Sequence, residues 1–130
     1  MNPDERPVSA TSDSDPRMLA KALFRIFDQW RLSETDQLIV LGIGAEDPGV
    51  LVSMRERNDL DSNDLVERAR ALVRIYRYLA MLYPEHPTLR EKWMTSAHPR
   101  LSGESPLDRI KGGGARGIGF VTTLLEEQLF

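Results

Sequence analysis

The segment from Asn63 to Tyr83 constrains the fold more than any other part of this chain. On a helical wheel Leu65, Ala69, Leu72, Tyr76, Leu79 and Tyr83 fall on one stripe, widened by Val66, Val73 and Ala80. Ala71, Ile75, Tyr78 and Leu82 fall on a second stripe, roughly 110° away at 3.6 residues per turn. Only the arc of Glu67, Arg70, Arg74 and Arg77 is clearly polar. A surface helix needs one apolar stripe, and this one has two. It is therefore either the central helix of a bundle or a helix that also covers a partner. Asp61 or Ser62 supplies its N-cap, and Pro84 stops it.

The flanking segments read as shorter helices. Residues 1–14, rich in Pro, Ser, Thr and Asp, carry little to bury and are expected to be a disordered tail. Asp15-Pro16 is an N-cap followed by a first-turn proline, opening an amphipathic helix to about Arg31 with Leu19, Leu23, Ile26, Phe27 and Trp30 inward. Ser33 with Asp36 resembles a capping box for a helix ending at Gly42 and Gly44. Gly42–Asp47 is expected to be a turn, and Pro48 to start a third helix that holds Val50, Leu51 and Met54 and ends at Asn58-Asp59. Beyond the long helix, Pro87 begins a helix to Thr95 with Leu89, Trp93 and Met94 inward. Ser105-Pro106 opens a short helix to Lys111, Gly112–Gly114 form a hinge, and Gly117 and Gly119 loosen the turns that follow. Ile118, Val121, Leu124 and Leu125 define the last helix. No segment alternates long enough to be a strand. The expected fold is all-α: a compact bundle of six to seven helices with a helix-turn-helix-like part over 15–60 and a long central helix in 61–130.

Composition narrows the chemistry. With 17 basic against 20 acidic residues the net charge is −3, so the chain as a whole is not an electrostatic nucleic-acid binder. Cysteine is absent, which removes disulfides, thiolate metal sites and a cysteine nucleophile. His86 and His98 each stand alone beside a proline, without an acidic partner at ligand spacing. Neither a metal site nor a catalytic constellation is expected. The run GGGARGIG (112–119) lacks the preceding strand and following Lys-Ser of a phosphate loop, and reads as a connection between helices. No apolar run approaches the roughly 20 residues of a membrane span, and the expected location is the cytoplasm. Arg55, Arg57 and Asn58, at the end of the third helix, are the residue types that read base edges, although Glu46, Asp47, Glu56 and Asp59 crowd the same surface.

From Trp93 the pattern W-M-x-x-x-H-P-R-L-S-G-E-S-P-L-D-R-I-x-G-G resembles the C-terminal toxin-binding domain of the Xre/MbcA/ParS antitoxins. The matching positions are Trp93, Pro99, Leu101, Gly103, Ser105, Pro106, Leu107, Asp108, Ile110, Gly112 and Gly113. Upstream, Leu72 to Pro84 is similar to the long helix of that family, and Leu41-Gly42-Ile43 to its helix-turn. His98 stands where the family has Asn and Ser102 where it often has Gly. In the third helix Arg55 is kept but the family's tryptophan is missing.

The resemblance implies a non-enzymatic antitoxin without a cofactor. Its partner would be a cognate RES-domain toxin that consumes NAD or transfers ADP-ribose, blocked by steric occlusion in a homodimer or larger hetero-oligomer. The implied toxin-binding residues are Trp93, Pro99, Leu101, Gly103, Ser105, Pro106, Leu107, Gly112 and Gly113. Arg116 or the terminal Glu126, Glu127 and Phe130 would reach towards the NAD pocket. Some members of the family repress their own operon, and Arg55, Arg57 and Asn58 are the candidates for operator contact. A transcriptional regulator without a toxin partner is the alternative.

Overall fold

The computed structural model describes residues 15–44, 49–60 and 62–130. The expected tail, most of the turn after Gly44, Pro48 as a helix start and Asp61 as a cap lie outside the described residues. Among the described residues there are six α-helices, one 3-10 turn and no strand.

The capping chemistry sets the helix starts. Asp15 accepts from the Arg17 amide at 2.9 Å and opens α1 (Pro16–Gln29). Ser33 accepts from the Asp36 amide at 3.1 Å and opens α2 (Glu34–Leu41), which Gly42 closes at φ 75°. After α3 (Gly49–Arg57), Ser62 accepts from the Leu65 amide at 3.2 Å and opens α4 (Asn63–Leu82). Then come α5 (Pro87–Thr95), the 3-10 turn Pro99–Leu101, and α6 (Pro106–Leu129) with Ser105 as its cap. The first helix stops two residues short of Arg31, because Arg31 turns into the left-handed region at φ 56°.

The central role read from the α4 wheel is what the structure has. α1 packs along one side of α4 and α6 along the other. Leu65, Ala69, Leu72, Val73, Ile75 and Leu79 are buried between them. On the second stripe, Ala71 shares a cleft with Ala115 and Ile118 of α6, and Tyr78 meets Glu126 and Phe130. The extra apolar surface of α4 is thus largely covered from within the chain. A single hydrophobic cluster runs from Leu19 to Leu125 and takes residues from all six helices, so 15–60 and 61–130 share one core.

Three local expectations are corrected. The glycine hinge is narrower than Gly112–Gly114: helix continues through Gly112 and Gly113, and the break is Gly114 alone, at φ 57° and ψ −134°. Only glycine enters that region freely. Gly117 is not a loosening residue. It is buried where the two arms of α6 meet, and a Cβ there would lie 2.1 Å from the Arg109 carbonyl oxygen. Leu89 is 44% exposed, because it points about a quarter-turn away from the direction shared by buried Trp93 and Met94.

Candidate functional site

The segment between α5 and α6 is a small knuckle closed by its own backbone. His98 donates to the Glu104 carbonyl at 3.1 Å, and Leu101 and Gly103 both donate to the His98 carbonyl at 3.0 Å. Ser102 and Gly103 follow each other at φ 57° and 84°, which reverses the chain at the tip. Trp93 and Leu101 anchor the knuckle from below, both buried, and the His98 ring lies against the Trp93 ring at 4.8 Å. Ser105 is buried and caps α6 by accepting from the Asp108 amide at 3.1 Å. Pro106 and Leu107 are buried behind it.

Arg109 and Arg100 then tie the knuckle to the far arm of α6. The Arg109 guanidinium donates to the Leu101 carbonyl at 2.9 Å and stands 5.5 Å over the Phe120 ring. Arg100 pairs with Glu127 at 2.6 Å. Beneath that pair lies a shallow cleft of about 100 Å³ lined by Arg100, Leu101, Phe120, Thr123, Leu124 and Glu127. Phe120 is 49% exposed on its rim. A rigid polar knuckle beside an open aromatic ring is a surface fit for a protein partner.

The residues singled out for toxin binding therefore divide. Trp93, Leu101, Ser105, Pro106 and Leu107 are buried and fix the knuckle's shape. Pro99, Gly103, Gly112, Gly113, Arg116 and Glu127 are on the surface. Glu126 and Phe130 look the other way, towards α4: the Tyr78 hydroxyl donates to Glu126 at 2.9 Å, and the Phe130 ring stands edge-on to Tyr78 at 5.9 Å. The Glu126 carboxylate, through that hydrogen bond, holds the Tyr78 phenol above the usual 10.0; desolvation adds to the shift and Arg74 opposes it.

The helix-turn-helix candidates sit together at the end of α3, Arg57 exposed and Arg55 and Asn58 half-buried. Arg55 turns inward, donating to Asp28 at 3.1 Å and Gln37 at 3.0 Å with its guanidinium 4.6 Å over the Phe24 ring. Arg57 donates to the Ser53 carbonyl at 3.4 Å, and Asn58 ends α3 at φ 49°. The outward face of α3 presents Val52, 53% exposed, and Glu56. No group of three or more acidic or histidine side chains is placed to hold a metal ion among the described residues. None of their helices is long and apolar enough to cross a membrane.

No family model matches this sequence. Over 130 aligned residues it is 32% identical to the uncharacterized protein y4oB of Sinorhizobium fredii (strain NBRC 101917 / NGR234), an alignment covering 95% of this chain and 94% of that protein. The chain belongs to the y4oB family.

Three side chains of this y4oB-family surface escaped the sequence. Phe120 lies outside the apolar stripe of Ile118, Val121, Leu124 and Leu125, and an aromatic off the core-facing stripe of an otherwise amphipathic helix was the available signal. Arg100 and Arg109 gave none, since their partners are 27 residues ahead and 8 residues behind in the chain.

Proposed function

We propose that this y4oB-family protein is a cytoplasmic antitoxin that binds and sterically blocks a RES-domain toxin through the knuckle and the exposed face of α6. The observation that carries the reading is the division within the Trp93–Gly113 motif. Its buried members are anchors, and of the members left outside Arg100 pairs with Glu127 over the cleft that Phe120 borders. Such a preformed surface loses little conformational entropy when a partner docks. Occlusion needs no catalytic group on this chain, and the protein acts as a binding partner rather than an enzyme.

The test is co-expression with the product of the neighbouring gene, affinity purification and a cellular NAD assay. A stable complex, with NAD falling only when this protein is absent, is the expected result. Phe120→Asp should abolish both capture and protection while the protein stays folded. Deleting 112–130 is a poor substitute, because it strips Ile118, Val121, Leu124 and Leu125 from the core. Absence of a complex, with NAD unaffected, would sink the reading. Operator binding by α3 is the weaker reading, since Arg55 is already bound within the fold.

A further inference from the structure

The arc of α4 that α1 and α6 leave uncovered is polar for most of its length and ends on an apolar residue, Met81, which is 55% exposed. On the wheel Met81 lies about 20° from Arg74, and Tyr78 lies about 40° from it on the other side. Tyr78 is half-buried, and Phe130, 82% exposed, stands edge-on to its ring at 5.9 Å. Met81, Tyr78 and Phe130 thus form an apolar patch that the chain leaves open. The patch is separate from the Phe120 surface, since Phe130 sits on the α4 flank of α6.

Charges of opposite sign bound the patch. Arg74 is exposed one turn before Tyr78, and Glu85 is exposed in the turn that follows the helix. Among the described residues neither is in an ion pair, whereas Arg70 and Arg77 on the same arc are engaged within the chain, Arg70 with Glu67 at 2.7 Å. Arg74, Tyr78, Met81 and Glu85 therefore read as cation, aromatic, thioether and anion along one line. The point midway between Arg74 and Glu85 is also midway between Tyr78 and Met81. A second copy turned about a two-fold axis through that point lays the two lines antiparallel. Each Arg74 then faces the Glu85 of the other copy, and each Tyr78 ring faces the Met81 of the other copy. Both matches are favourable, the first by charge and the second by contact of sulfur with an aromatic ring.

We propose that two copies of this chain associate through the Arg74–Glu85 line of α4, a two-fold contact independent of the toxin reading. Three apolar side chains per copy fall well short of a standard interface, so the dimer is weak, with a dissociation constant between about 10 µM and about 1 mM. The charge pairs lie at its rim, and added salt weakens them.

The test is sedimentation equilibrium of the full chain without any partner, across that concentration range. The weight-average mass of the wild type should rise from the monomer value of 14.8 kDa towards twice that value and no further, because a two-fold contact closes on itself. Met81→Ser should stay near the monomer mass. Arg74→Glu and Glu85→Arg should each raise the dissociation constant about tenfold or more, since both pairs of the dimer become like-charged. Mixing these two variants should restore dimers, because both pairs of the mixed dimer are again opposite in charge. Arg74→Glu and Glu85→Arg combined in one chain should restore them too. All three positions are exposed, and circular dichroism checks that each variant is folded. A wild type that stays at the monomer mass, assemblies larger than a dimer, or a mixture that associates no better than either charge variant alone would each overturn the proposal.

Discussion

Four glycines within six positions of α6 do opposite jobs, and substitutions separate Gly114 and Gly117 from Gly112 and Gly113 by sign. At Gly117 a methyl group would strike the Arg109 backbone, which cannot move aside as a flexible side chain could. Gly117→Ala should cost about 2–3 kcal/mol of unfolding free energy, the range of an overpacked core. Gly114→Ala should cost about 1–3 kcal/mol for forcing a side chain into a strained backbone region. Gly112 and Gly113 are helical with open space where a Cβ would stand, so alanine at either should stabilise by roughly 0.5–1 kcal/mol. Urea unfolding of the four variants reads all of this, and a stable Gly117→Ala would contradict the close packing. Arg55→Ala should lower stability by about 1–2 kcal/mol, because it removes the bond to Asp28, strands the Gln37 side-chain Oε1 and bares Phe24. If instead its only effect were on duplex binding, the inward placement of Arg55 would be irrelevant to the fold.

At the scale of elements, the far arm of α6 is fastened by apolar packing and then by polar contacts on either flank. On the α4 flank the Tyr78–Glu126 bond depends on the phenol keeping its proton. Its folded-state pKa is raised, so its contribution is complete below the ordinary tyrosine value near 10 and is lost as pH rises through the higher value. Glu126→Gln should bring that titration down, because it removes the negative charge and leaves a neutral amide oxygen as a weaker acceptor for the protonated form. The absorbance change at about 295 nm, taken as wild type minus Tyr78→Phe, isolates the group from the other tyrosines; an unshifted curve in Glu126→Gln would argue against the contact. Helix positions and caps were legible because they are written locally: Asp15, Ser33, Ser62 and Ser105 each cap the helix that follows. The bend of α6 was legible only as a region, since three consecutive glycines look alike and tertiary packing selects the third. The surface around Phe120 was not legible, because Arg100 and Arg109 reach it through folding rather than through sequence spacing.

The whole molecule is organised by α4, which α1 and α6 cover on two sides while α2 packs against α6. Lys111 of α6 pairs with Asp36 of α2 at 3.3 Å, adding a polar tie between the first and last thirds of the chain. With one core spanning both regions, chemical unfolding should follow a single transition with the same midpoint by circular dichroism and by tryptophan fluorescence. Trp30 and Trp93 report from opposite halves of the chain, so separate midpoints in Trp30→Phe and Trp93→Phe proteins would mean two independent units.

The side chain of Arg68 reaches from α4 to both places where a glycine turns the backbone into positive φ beside it. Its guanidinium donates to the Val40 carbonyl at 3.3 Å, sits where a Cβ on Gly42 would come within 2.8 Å, and lies 3.6 Å from the corresponding point on Gly114. Positions 42, 68 and 114 therefore form one packed unit spread over more than half the chain. A shorter residue at 68 would clear the space beside 42 but leave the Val40 carbonyl without its donor, and a side chain at 42 would still sit at φ 75°. Across a broad set of y4oB-type sequences these three positions should covary as a triplet, and a lineage that loses the arginine should show its replacement at the end of α2.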